Sequence, residues 1–204
     1  MPDSTDWLNQ VQEETLEPGR RICDPHHHLW DRGGNRYLLD ELLADTGSGH
    51  NIVSTVFIEC LSMYRADGSE AMRPVGETEF VQGVAAMSAS GGYGPMRACA
   101  GIIGFADLAL GDAVAPVLTA HIDASANRFR GIRHAAGWHA SADIRNSHTN
   151  PPEGLLMDAK FREGYAHLGR LGLTFEAWLY HPQLPELLEL ARAHPDEQPD
   201  RPPA

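Results

Sequence analysis

The stretch ICDPHHHLWD, residues 22–31, concentrates more potential chemistry than any other part of this 204-residue chain. Side chains alternate between faces along a strand, so Asp24, His26 and His28 share one face, and Cys23, Pro25 and His27 the other. Two neutral imidazoles two residues apart at a strand's end can converge on one divalent ion, with positions left open for water. A metal held in this way polarises a carbonyl and lowers the pKa of bound water toward about 7, which makes hydroxide available at neutral pH. His27, on the opposite face, is predicted to be structural or to support the ligands.

Other polar residues close apolar stretches. Glu59 ends NIVSTVFIEC on the face of Thr55 and Phe57, where a carboxylate either orders a ligand or a neighbouring histidine or pairs with a local arginine. Arg133 and His134 follow Gly131 in FRGIRHAA. An arginine fork suits bidentate binding of a substrate carboxylate, and structural hydrogen bonding at a strand end is the alternative for both residues. Met63, Tyr64 and Arg65 follow Glu59 in a loop that either lines a pocket or is ordinary surface. His181 closes LTFEAWLYH, whose Trp178 and Tyr180 suit a core or a pocket wall. There is no GxGxxG after a strand, no GxxxxGK[ST], no HExxH and no GxSxG.

These candidates need strands to carry them. Residues 21–30, 51–60, 98–108, 129–136 and 173–181 are apolar and β-branched, as buried parallel strands are. Helical patterns over 37–47, 78–90, 112–124, 158–171 and 184–194 alternate with them, and a long polar loop spans 137–152. Five such units predict an α/β fold, a parallel sheet covered on its outer side by helices. Ahead of it, residues 4–16 suit a short helix within an N-terminal arm, 1–20. Behind the domain, 21–195, the Pro-rich run 196–204 has no periodicity and is predicted to be disordered.

DPHHHLWD resembles the first-strand motif of the amidohydrolase-related proteins, metal-dependent hydrolases of TIM-barrel fold that include lactonases acting on sugar lactones and muconolactones. The resemblance continues through VFIEC (56–60), RFRGIRH (128–134) and WLYHPQLPEL (178–187). It implies an incomplete (β/α)8 barrel of about five βα units, a hydrolase acting on a lactone, ester or amide of a small carboxylated molecule, and a divalent metal, zinc or manganese, on His26 and His28. In relatives that work without metal the same histidines help polarise the substrate. Metal-dependent decarboxylase relatives use a fifth-strand histidine as ligand, which implies His181 as a ligand or substrate contact. Arg133, His134, Glu59 and Tyr64 are the candidate substrate-binding residues. The family's middle-strand histidine and eighth-strand aspartate, its general base, have no counterpart here, so the chain is expected to be C-terminally truncated. Non-oxidative decarboxylation and a non-catalytic fragment are the alternatives.

Composition narrows the partners. Lys+Arg 16 against Asp+Glu 28 leaves a net charge of −12, which repels phosphate backbones and anionic membranes. No stretch approaches the roughly 18–20 apolar residues of a membrane-spanning helix, and the N-terminus has no basic and apolar leader pattern, so a cytoplasmic protein is expected. Cys23, Cys60 and Cys99 are odd in number and never in a CxxC pair, and they read as reduced, mostly buried thiols. At 204 residues the chain sits at the lower limit of about 200 for a full barrel. Five strands leave two open sheet edges, which favour self-association.

Overall fold

In a computed structural model, which describes residues 10, 11 and 13–195, the strands follow one another across a single parallel sheet. They are β1 (Arg21–His27), β4 (Asn51–Ile58), β5 (Arg97–Gly104), β6 (Phe129–Ile132) and β7 (Thr174–Phe175). β2 (Trp30–Arg32) and β3 (Asn35–Tyr37) form a separate antiparallel hairpin. The helices are α1 (Leu39–Thr46), α2 (Val75–Ala89), α3 (Ala115–Ala124), α4 (Ala159–Arg170) and α5 (Leu184–Ala193). Sequential parallel neighbours joined through helices are the repeat of a (β/α) barrel, here through five strands. Most of the expected N-terminal helix and all of the tail 196–204 lie outside the described residues, and the described end of that helix, 13–16, is not helical.

The core lies between the sheet and the helices. Phe57, Ile102 and Ile132 from the strands and Val81, Leu118, Phe161 and Leu168 from the helices are buried in one cluster. Burial of this kind is worth about 1.5–3 kcal/mol for each large side chain. It orients the sheet so that the strands' C-terminal ends gather at one rim.

Several boundaries differ from expectation. β5, β6 and β7 stop well before residues 108, 136 and 181, because the chain leaves the ladder to enter the loops of the rim. Asp107 caps a 3-10 turn, Leu108–Val114, by accepting from the Ala109 amide at 3.0 Å. Helix α3 starts at Ala115 rather than 112, with Pro116 in its first turn, where a missing N–H costs nothing. The hairpin was carried by Gly33-Gly34, a dipeptide turn signal between WDR and NRY. Both glycines have positive φ, 55° and 88°, as the tight turn requires.

Candidate active site at the strand ends

β1 is irregular where it matters. Asp24 pairs with Thr55 and His27 with Phe57, so three residues of β1 oppose two of β4, the signature of a bulge. The Asp24 carboxylate turns back to accept from the His26 amide at 3.1 Å and stays out of the site. His27 is buried and meets the Thr55 hydroxyl at 2.8 Å. Burial holds its pKa down at about 4.

His26 and His28 come together. Their Nε2 atoms lie 3.3 Å apart. The Nδ1–H of His28 donates to the Ile58 carbonyl at 2.8 Å, which fixes the tautomer and leaves Nε2 unprotonated. Burial lowers the pKa of His28. The Nδ1 of His26 faces Glu176 Oε1 at 3.8 Å. Arg133 Nη1 lies 3.4 Å from the Nε2 of His26. At 3.3 Å the two Nε2 atoms are close enough to share one cation or one proton. Nitrogen ligands about 2.0–2.1 Å from zinc in tetrahedral array are separated by about 3.4 Å. The imidazole pair therefore fits a metal ion as a two-ligand seat. Among the described residues, no group of three or more His, Cys, Asp or Glu converges to hold one.

Glu59 is fully buried at the end of β4. Its Oε1 accepts from Arg133 Nε at 2.7 Å and lies 3.3 Å from His148 Nε2. Arg133 Nη2 donates to the Glu59 carbonyl, and Nη1 lies 3.4 Å from Glu176 Oε1. Burial pushes the Glu59 carboxyl up, but His148 and Arg133 outweigh it and hold the group below its ordinary range. Arg133, for which the sequence allows substrate binding or structural hydrogen bonding, gives both Nε and Nη2 to Glu59.

The other candidates lie apart from the histidine pair. His134 is buried beneath the rim, accepts the Leu108 N–H on Nδ1 at 3.2 Å and stacks edge-on to Phe105. It borders a neighbouring hollow. Tyr64 has a buried hydroxyl without a hydrogen-bond partner among the described residues, and it does not line the histidine cavity. His181 is exposed and opens the short turn His181–Gln183 ahead of α5. The expectation for His181 assumed a strand running to residue 181; with β7 ending at Phe175, the residue presented at the rim is Glu176. Glu176, Arg145 and His148 escaped sequence reasoning. The alternation in LTFEAW could have pointed to Glu176 had the strand's end been placed earlier, whereas nothing local marks Arg145 and His148 within a polar loop.

That loop, 137–152, is tied down. Its Ser147 amide donates to Gly137 O at 2.7 Å, Thr149 Oγ1 to Ala135 O at 2.6 Å, and the Tyr180 hydroxyl to Arg145 O. Buried Gln183 donates to Ala136 O at 2.6 Å and accepts from the Trp138 amide at 3.1 Å. Across the rim, the chain after β4 is pinned from α2. Glu77 is buried, and its Oε1 accepts from the Cys60 amide at 3.0 Å and the Ser62 amide at 2.7 Å. Leu61, between them, has φ 62°. Burial pushes the Glu77 carboxyl up to about 7. The result is a cavity of about 390 Å³ bordered by His26, His28, Arg133, His148, Arg145 and Trp178, with Arg32, Cys60 and Leu61. The thiols divide by position: Cys99 is buried and Cys60 partly so, but Cys23 is exposed rather than buried.

Solved structures share this arrangement of strands and helices. An amidohydrolase from Burkholderia multivorans with bound zinc superposes with a TM-score of 0.53 at 20% identity, covering 85% of this chain and 54% of that one. Amidohydrolase 2 from Bifidobacterium longum subsp. infantis gives 0.50 at 18% identity, covering 86% and 58%. The fold is that of the amidohydrolases. A curated relative, the uncharacterized protein y4mH of Sinorhizobium fredii, is 32% identical over 199 residues, 87% of this chain and 60% of that protein. No protein-family model matches the chain. The chain thus spans between 54% and 60% of the length of these amidohydrolase structures and of the curated relative. No helix among the described residues is long and apolar enough to cross a membrane.

Proposed function

We propose that the chain belongs to the amidohydrolase-related proteins and that its rim cavity serves hydrolysis of a lactone, or of a related ester or amide, of a small carboxylated molecule in the cytoplasm. The observation that carries this is the convergence of His26 and His28 Nε2 at 3.3 Å, with the His28 tautomer set by Ile58 O. His26 and His28 would hold a divalent ion, zinc first and manganese second. When bound, that ion supplies Lewis acidity toward the carbonyl and a water of lowered pKa. In the Burkholderia structure the bound metal is zinc.

The chain's own groups do the rest. Glu176, 29% exposed and 3.8 Å from His26, orients that imidazole and is the carboxylate nearest to it. The buried Glu59–Arg133 pair holds the wall in place, and the loop 137–152 shields the cavity from one side. The decarboxylase alternative drew on His181 as a ligand, and His181 does not border this cavity.

Metal content and hydrolysis of a panel of lactones, measured on the wild-type chain and on His26→Ala and His28→Ala, test the proposal. Bound zinc or manganese near one equivalent, lost in both variants together with at least a hundredfold of activity, is the expected result. Unchanged activity in both variants would sink it.

A further inference from the structure

The cavity wall is basic in a protein that is acidic overall. Of the described residues that border it, three are arginine, three are histidine and none is Asp or Glu, against a net charge of −12 for the chain. Arg133 is neutralised by buried Glu59. Arg32, at the end of β2, spends Nη2 on the Cys60 carbonyl and has no carboxylate partner among the described residues. The Arg145 guanidinium has neither a hydrogen bond nor an ion pair among the described residues, although its backbone is fixed by Tyr180. Beside them the indole of Trp178 lies against Gly137, where a Cβ would approach the ring to 2.7 Å. A bordering wall with two uncompensated guanidinium groups and an aromatic face, but no carboxylate, is complementary to an anion on a ring.

We propose that Arg145 and Arg32 form the anion seat of this cavity, that Trp178 is the wall for the ligand's ring, and that the ligand is a small cyclic carboxylate. Arg133 is then a structural post rather than the substrate's carboxylate fork. This rests on the hydrolase reading for what happens next to His26 and His28, but not for binding itself. The seat draws its arginines from two separate elements, the hairpin Trp30–Tyr37 and the loop 137–152, so a bound carboxylate would bridge them across the cavity mouth.

The test is calorimetric titration of the full chain with benzoate and with neutral benzamide at low salt. Saturable binding of benzoate and none of benzamide is expected. Arg145→Met should weaken benzoate at least tenfold without a change in melting temperature, Arg145→Lys should recover part of the loss, and Arg32→Met should weaken it as well. Arg130→Met, an exposed arginine outside the cavity, should leave the affinity unchanged. Absence of saturable benzoate binding, equal binding of benzamide, or full affinity in Arg145→Met would overturn the proposal. The readout needs no turnover, so a chain that binds benzoate through Arg145 yet hydrolyses no lactone refutes only the hydrolase reading. A chain that hydrolyses lactones with an unchanged KM in Arg145→Met refutes only the seat.

Discussion

Glu77 shows how burial writes pH dependence into a single residue. Its carboxyl is raised to about 7 by burial, whereas in the unfolded chain it titrates near 4.5. As pH rises from 4.5 to 7 the unfolded chain releases this proton first, so Glu77 lowers stability across that window and by a constant amount above it. His27 and His121 act in the opposite sense. Burial lowers each to about 4, so the unfolded chain takes up their protons first as pH falls below 6.5, and stability is lost between 6.5 and 4. Two histidines outweigh one carboxylate where the windows overlap. Urea midpoints measured from pH 4 to 8 should therefore peak near 6.5 and fall steeply on the acid side. Glu77→Gln keeps an acceptor for the Cys60 and Ser62 amides and removes the opposing contribution, so the fall on the acid side should become steeper between 6.5 and 4.5 and the small decline from 6.5 to 7 should vanish. Glu77→Ala leaves two N–H groups unpaired and should cost about 2–4 kcal/mol at every pH.

At the scale of elements, the site depends on how two loops are clamped to the barrel rim. The chain after β4 carries two non-glycine residues of positive φ, Leu61 at 62° and Met63 at 54°. Such backbone persists only where neighbours impose it. Glu77 imposes it from α2, and so does Gly76, where a Cβ would lie 2.6 Å from Arg65 N and 2.7 Å from Met63 O. Gly76→Ala should push this loop off the helix, cost roughly 1–3 kcal/mol, and speed labelling of the partly buried Cys60 thiol by a disulfide reagent. Labelling at the wild-type rate would show that the loop does not rely on this contact. The expected elements were legible because their periodicities are strong: the apolar run of β4 and the amphipathic patterns of α4 and α5 form where the sequence puts them. Their ends were not. β7 shrinks to two residues because Glu176 to Tyr180 turn away to hold the loop 137–152, with the Trp178 carbonyl accepting the Ala136 amide at 2.8 Å, a long-range contact that no local pattern announces.

Among the described residues the larger sheet has five strands, with β1 and β7 at its edges. Among those residues each edge strand has one paired neighbour and a row of backbone groups open to pairing with another strand. We expect the chain to associate through these edges, with the weight-average mass in sedimentation equilibrium rising as concentration increases from micromolar to millimolar. A constant monomer mass across that range would exclude it. The edges matter to the site as well, since His26 lies on β1 and Glu176 follows β7, so the His26–Glu176 approach at 3.8 Å spans the open side of the sheet.

By itself the sequence determined the fold class, the five repeating units, the acidic balance and the His-x-His pair, because each follows from residue type and short-range periodicity. Only the tertiary structure decided which charges meet. The sequence could place Glu59 and Arg133 at strand ends but not against each other, 74 residues apart, and could not bring Arg145, His148 and Glu176 to the same rim. Those pairings are set by the register of parallel strands and the path of one long loop. Both are governed by long-range packing, on which nearest-neighbour pattern is silent.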